Sequence, residues 1–397
     1  MGWRPNRIEF PPCVYSVAGP PNPGKSGAMQ PVVLSSSYNM STSGTKRLDQ
    51  IVDRIQRNPG RLIGPTEFDE LQENLDLSRV LDRLPLGMTE ADLIGILRLT
   101  MLTECATETY AAALEENARR YDAAWLYNFT HNVWTPDELT HAAPYKLMLL
   151  HLGFEEAELD RQIRDTRAES LEHRSGETPM HLTAYGMLSE YATEKWHGAI
   201  WHMLRESCPR AAYMAARVKR RETLHRVWYH DMTAAQIDSD PGVARYLSEV
   251  LLTFRMPGAS LVPELQREAG RWLVLMQWDF EPAARELGRM LQEVLGDSGR
   301  LGRLLITLAA QRGEQLGPLS AHHVQAAIQR LRGAGYGLIG EAFLESVGLR
   351  YLFPPVLSRR REQLRVDRLL RGLLRSWIAD RIRLDMQSKL TTRETMS

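Results

Sequence analysis

Four stretches of helical pattern each place one carboxylate on the stripe that should face a core, and two of them add a histidine three residues later. The stretches are Met101-Leu-Thr-Glu104, Trp134-Thr-Pro-Asp-Glu138-Leu-Thr-His141, Ser189-Glu190-Tyr-Ala-Thr193 and Arg221-Glu222-Thr-Leu-His225. In chain order this reads Glu, Glu-x-x-His, Glu, Glu-x-x-His. A carboxylate on an apolar stripe costs free energy unless it is paired or ligated. Four of them, one per helix, therefore need one common explanation.

The helical stripes fix where these groups point. The first helix begins at Thr89 with Asp92 three residues later, a capping-box variant. Its inner stripe runs Ile94, Leu97, Met101, Glu104, Glu108 and Ala111. The second carries Glu138, His141, Tyr145 and Met148, with a kink expected at Pro144. The third carries Met187, Glu190, His197 and Trp201, and the fourth Ala211, Ala215, Val218, Glu222, His225, Tyr229 and Met232. In each case the carboxylate shares the apolar face. Further helical patterning follows from about Pro241 to the end, and strand-like alternation is scarce. The reading is an all-α fold with a four-helix bundle core and additional C-terminal helices.

Residues at i and i+3 stand one above the other on a helix. Glu138 with His141, and Glu222 with His225, can each grip one metal ion. Carboxylate oxygen with imidazole nitrogen suits iron or manganese. Two Glu-x-x-His pairs with one further Glu from each remaining helix are the inventory of the ferritin-like carboxylate bundles, which hold two metals. A single Glu-x-x-His is cheap in a chain with 11 histidines, and Glu194 with His197 is a third example. Glu138 also fits a capping box opened by Thr135 and Pro136. The ordered set of four is what lifts the pattern above such readings. Within a helix the choice stays open: Glu108 lies one turn after Glu104, and Glu194 one turn after Glu190.

Composition narrows the partners. The 397 residues balance 49 Lys and Arg against 49 Asp and Glu, which predicts neither nucleic-acid binding nor membrane adsorption. No apolar run is long enough for a membrane span, and the N-terminus carries no uninterrupted apolar signal region. Cys13, Cys105 and Cys208 show no paired spacing, which argues against a disulfide framework and suits a reducing cytoplasm.

Residues 1–60 are rich in Pro, Gly and Ser and read as an irregular or mobile N-terminal arm, with residues 61–397 as a single domain. Within the arm, Gly19-Pro-Pro-Asn-Pro-Gly24-Lys25-Ser26 matches the phosphate-binding loop pattern. Its three prolines remove the backbone donors that such a loop needs, so it is read as a decoy. The C-terminal segment is basic, with Arg359, Arg360, Arg361, Arg365, Arg368, Arg371, Arg375, Arg381 and Arg383. It reads either as a solvated helix face or as a docking surface for an acidic partner.

At these residues the sequence resembles the soluble acyl-(acyl-carrier-protein) desaturases, a family of ferritin-like di-iron carboxylate proteins. Met101-Leu-Thr-Glu104-Cys-Ala-Thr-Glu-Thr-Tyr110 is similar to M-I-T-E-E-A-L-P-T-Y, and Trp134 to His141 resembles W-T-A-E-E-N-R-H. Glu190 to Gly198 resembles E-R-A-T-F-I-S-H-G, and Arg221 to His225 resembles D-E-K-R-H. Pro354-Pro355-Val-Leu-Ser-Arg-Arg and Ser376-Trp377-Ile378-Ala-Asp380-Arg381 are similar to the family's P-P-R-I-R-R and S-W-I-F-D-R. The matches run from about residue 100 to the end.

The resemblance implies a homodimer whose two iron ions activate O₂ with electrons from a ferredoxin-type donor. The product would be a double bond in a fatty acyl chain held on acyl-carrier protein. Glu104, Glu138, His141, Glu190, Glu222 and His225 carry over as iron ligands, and Thr193 as a catalytic hydroxyl beside the oxygen-binding side. The chain departs from the family in second positions: Thr140 and Leu224 stand for the Arg before each ligand histidine, and Arg221 for the acid before the last Glu. No Trp lies between Trp3 and Trp125, where the family has one before its first helix. The rival readings are a related di-iron hydroxylase or N-oxygenase of a small molecule, and a catalytically silent iron-binding scaffold.

Overall fold

The computed structural model describes residues 38–168, 177–254 and 256–296. Among these residues there is no strand, and the fold is all-α with a ferritin-like bundle at its centre. The P-loop-like stretch, the basic C-terminal segment and the resemblances beyond residue 350 lie outside the described residues.

Two long helices form the spine, Pro179–Leu204 and Pro209–Ser239, antiparallel neighbours packed along their lengths. Each begins on a proline in its first turn, where the missing N–H leaves no bond unmade. The first also has a capping box, with Thr178 accepting from the His181 amide. Ala211, Ala212, Ala215 and Val218 are fully buried on the second, and small side chains of this kind permit close helix approach.

The helix Glu90–Glu104 starts as its sequence predicts. Thr89 accepts from the Asp92 amide at 3.2 Å, and Asp92 accepts from the Thr89 amide at 2.9 Å. It ends at Glu104, one residue before a break at Cys105 and Ala106, and a separate helix runs Thr107–Arg120. The single stripe expected from Ile94 to Ala111 is therefore divided. The break turns Glu108 outward, where it pairs with Arg167 at 3.1 Å.

The Glu138 segment is less regular than its pattern suggests. The helix Ala124–Phe129 widens into a π-helical turn over Thr130–Trp134, continues as Thr135–Glu138, breaks, and resumes at Ala143–His151. Pro136 and Pro144 account for both irregularities, because each removes a backbone donor and crowds the carbonyl four residues earlier. At the break the bonds tighten to the three-residue spacing, with Thr140 donating to Asp137 and His141 to Glu138, each at 3.0 Å. The kink expected at Pro144 is thus a break over residues 139–142, and His141 sits in it.

Residues 42–57 correct the reading of an irregular arm through residue 60. They form the helix Thr42–Arg57, capped by Ser41, with Leu48, Val52 and Ile55 buried in the core. Its apolar positions are spaced at i, i+4 and i+7, a stripe that the Pro- and Ser-rich residues before it obscured.

Candidate metal centre

The four carboxylate helices bring Glu104, Glu138, His141, Glu190, Glu222 and His225 into one buried cluster. The two histidines are fully buried, and none of the four glutamates exceeds 8 % exposure. The rings of His141 and His225 lie nearly parallel, with centroids 5.5 Å apart and Nδ1 inward on both.

Two glutamates span the cluster. Glu138 sets Oε2 at 3.1 Å from His141 Nδ1 and Oε1 at 2.7 Å from His225 Nδ1. Glu222 sets Oε1 at 2.8 Å from His141 Nδ1 and Oε2 at 3.7 Å from His225 Nδ1. The other two stand at the ends. Glu104 Oε2 is 3.9 Å from His141 Nδ1, and Glu190 Oε2 is 4.0 Å from His225 Nδ1. Metal–ligand bonds of about 2.1 Å put donors at right angles about 3 Å apart and opposed donors about 4 Å apart. The observed separations fall into these two groups.

The donor set fits two metal ions on a second ground. His141 Nδ1, His225 Nδ1 and both Glu222 oxygens are buried yet make no hydrogen bond of acceptable direction, although carboxylate oxygens and ring nitrogens lie close. Buried polar atoms normally find partners. Here their nearest polar neighbours are one another, at the separations that donors around a shared ion would keep. Four carboxylates also balance the charge of two divalent ions, which a protein interior requires.

Electrostatics agree. Burial raises the Glu104 carboxyl above its usual range, and the charge of Glu222 pushes it further. Glu190 is raised well above by burial and then by Glu222 and Glu138. Burial opposes protonation of both histidines, yet Glu138 and Glu222 beside His141, and Glu138 and Asp137 beside His225, hold them well above the ordinary imidazole range. Burial likewise opposes the charge on Glu222, and His141 overrides it. Divalent ions would take the place of these protons.

The groups behind the cluster were only partly visible in the sequence. Asp137, fully buried, accepts from His225 Nε2 at 2.6 Å, and its other oxygen lies 3.7 Å from His141 Nε2, a charge neighbour without a hydrogen bond. Arg221 donates to Asp137 through Nε at 2.7 Å and through a closer Nη2 contact, and Nη2 also reaches the Pro59 carbonyl at 2.7 Å. Burial works against the Asp137 charge, but His225 and His141 hold its carboxyl far below the usual range. The basic residue at position 221 is thus matched by an acid at position 137. In the sequence Asp137 looks like an ordinary first-turn helix acid after Pro136. Trp134 Nε1 donates to Glu190 Oε1 at 3.2 Å, while Oε2 lies on the His225 side.

The alternative carboxylates lie elsewhere. Glu108 is exposed. Glu194 is buried but paired with Lys195 at 3.0 Å and Arg226 at 2.7 Å. Thr193 donates to the Ser189 and Glu190 carbonyls, each at 3.2 Å, while its side chain borders two cavities. One cavity is walled by Tyr110, Leu114, Trp134, Leu182, Tyr185 and Tyr229, the other by Leu99, Trp196, Met256, Ala269, Leu273 and Trp278. Both share Thr103, Glu104 and Thr193 as wall residues.

No helix among the described residues is long and apolar enough to cross a membrane. Comparison with curated proteins finds no match to the chain. Residues 82–270 match the family model described as fatty acid desaturase, and that stretch contains all six clustered carboxylate and histidine residues together with Asp137, Thr193 and Arg221.

Proposed function

We propose that the chain is a di-iron, O₂-dependent desaturase acting on a fatty acyl chain carried by acyl-carrier protein. The observation that carries this reading is a pair of overlapping buried donor groups, Glu138, His141, Glu222 and His225 beside Glu104, His197 and Glu222, with Glu190 4.0 Å from His225, inside a stretch that matches the fatty acid desaturases. Glu104 and His141 would hold one iron, Glu190 and His225 the other, and Glu138 and Glu222 would bridge them. Iron bound here would supply the two-electron chemistry with O₂ that removes two hydrogens from an alkyl chain.

The chain's own residues supply position and shelter. The apolar walls on both sides of Thr103, Glu104 and Thr193 would receive an alkyl chain that passes the metal face. The six residues are buried, which would keep bulk water away from the metal face. Trp134 holds Glu190 and Asp137 orients His225, so that part of the donor geometry would be set before iron arrives. Thr193 directs its proton back to helix carbonyls, which leaves oxygen lone pairs to accept a hydrogen bond from the cavity side.

A ferredoxin-type electron donor, a homodimeric assembly and a cytoplasmic setting belong to the same proposal. One observation favours a second reading, a di-iron oxygenase of a smaller or more polar molecule. Tyr110 and Tyr185 bring their hydroxyls within 3.2 Å of each other in the wall of one cavity, a polar feature at the side of an otherwise apolar space. Incubation of the iron-loaded protein with O₂, a reductant and acyl-carrier proteins of different chain length separates the two readings. Loss of two hydrogens from the acyl group supports the desaturase, and gain of one oxygen supports the oxygenase.

A further inference from the structure

The cluster contains a third imidazole that the six-residue ligand set leaves unused. His197 lies two turns after Glu190 and is fully buried. Its sequence neighbourhood pairs it with Glu194, but that carboxylate turns away to Lys195 and Arg226. The His197 ring faces the metal centre instead. Nε2 stands 3.1 Å from Glu104 Oε1 and 3.8 Å from Glu222 Oε1. The first distance is that of ligands at right angles around one ion, the second that of ligands nearer opposite. Glu104, His197 and Glu222 form a donor group within ligand reach by themselves.

The other ring nitrogen is fixed. The Tyr145 hydroxyl lies 2.5 Å from His197 Nδ1, with the two rings stacked at 5.4 Å. Tyr145 is itself fully buried. A histidine that ligates through one nitrogen needs the proton on the other, and an oxygen acceptor there holds both tautomer and ring plane. In the tautomer that carries its proton on Nδ1, donated to the Tyr145 oxygen, Nε2 meets Glu104 Oε1 and Glu222 Oε1 with a free lone pair.

We propose that His197 is a third imidazole ligand, bound through Nε2 to the iron held by Glu104 and His141. The two iron sites then differ. One takes nitrogen from His141 and His197, the other from His225 alone. This inference rests on the di-iron reading above and adds to it a nitrogen-rich site on the Glu104 side. The competing account is the other tautomer, in which the Tyr145 hydroxyl donates to Nδ1 and Nε2–H donates to Glu104 Oε1 at 3.1 Å, so that His197 only sets the carboxylate's position.

Pulsed electron paramagnetic resonance on the iron-loaded protein in its one-electron-reduced, mixed-valent form counts the imidazoles. Iron content is measured in parallel. The wild-type chain is expected to bind two irons and show three coupled imidazole nitrogens. His197→Gln keeps an amide donor within reach of Glu104 and removes the ligand, so it is expected to retain the bridged pair with two imidazoles. Tyr145→Phe is the second variant. It should keep all three imidazoles and change only the remote-nitrogen coupling of one, because that nitrogen loses its hydrogen-bond partner. Two irons with two imidazoles in the wild type, unchanged in both variants, overturns this inference and leaves the di-iron reading standing. Failure of the wild type to bind iron overturns both.

Discussion

Asp137→Asn tests how the two histidines proposed as ligands are held, because this carboxylate hydrogen-bonds His225, neighbours His141 and pairs with a buried guanidinium. The substitution preserves shape and removes the charge. Arg221, 1 % exposed, then loses its counter-ion. Breaking a buried pair by neutralising one partner costs about 3–5 kcal/mol. The Pro59 carbonyl at 2.7 Å remains as an acceptor for Arg221, so the expected loss sits near the lower end, about 3 kcal/mol. Removal of a carboxylate behind a ligating histidine weakens metal affinity roughly 10–100-fold. The double variant Asp137→Asn with Arg221→Met removes both charges and should recover most of the stability. It should not recover affinity, since the carboxylate behind His225 and His141 is still gone. Urea unfolding of the metal-free protein reads the first quantity, and anaerobic competition for ferrous iron against a chelator reads the second. If both properties return together in the double variant, or if Asp137→Asn leaves iron affinity unchanged, Asp137 does not orient the ligands.

Replacing Glu138 and His141 together by Ala should cost at least one bound iron, measured by elemental analysis. Retention of full iron content would mean that the ligands lie elsewhere. Thr193→Val keeps the shape beside Glu190 and removes the hydroxyl. It should fold and bind iron normally but form product more slowly or consume O₂ without product, and unchanged coupling would mark the threonine as structural. Gly186→Ala places a Cβ 2.7 Å from the Tyr229 ring, which is pinned by Phe129 and Trp134. Such overpacking costs about 1–3 kcal/mol, and Tyr229→Leu in the same chain should relieve it. In the metal-free protein, His141 and His225 have raised pKa values, so their contribution to stability is fully present below the unfolded imidazole value of about 6.5. It is lost as pH rises through the folded values, and the raised Glu104 and Glu190 carboxyls add a loss that begins in the ordinary carboxylate range, so the urea midpoint should keep falling as pH rises past about 6.5. Iron loading should flatten that dependence.

The site was more legible than the path of the chain around it. Each of the six residues proposed as ligands falls on an apolar stripe of helical spacing in the sequence, and a carboxylate on such a stripe is visible because burial makes it expensive. The break after Glu104 was not visible, since Cys105, Ala106 and Thr107 carry no Pro or Gly to mark it. The same break decides that Glu108 faces Arg167. Pro136 and Pro144 marked irregular helix, but whether a proline yields a π turn or a full break depends on packing that no local pattern contains. The pairing of Arg221 with Asp137 is a long-range contact across 84 positions, and the sequence shows it only as two unexplained charges. His197 was hidden by its neighbour: Glu194 three residues earlier offered a pairing that the tertiary structure does not use.

Mass spectrometry of an acyl-carrier protein, before and after incubation with the iron-loaded chain, O₂ and a reductant, tests the central claim most directly. A bundle that holds two irons between Glu104, Glu138, His141, Glu190, Glu222 and His225 as a desaturase predicts an acyl group lighter by two hydrogens. That product should vanish when Glu138 and His141 are both replaced. An acyl group of unchanged mass, across chain lengths and with two irons bound, would contradict it.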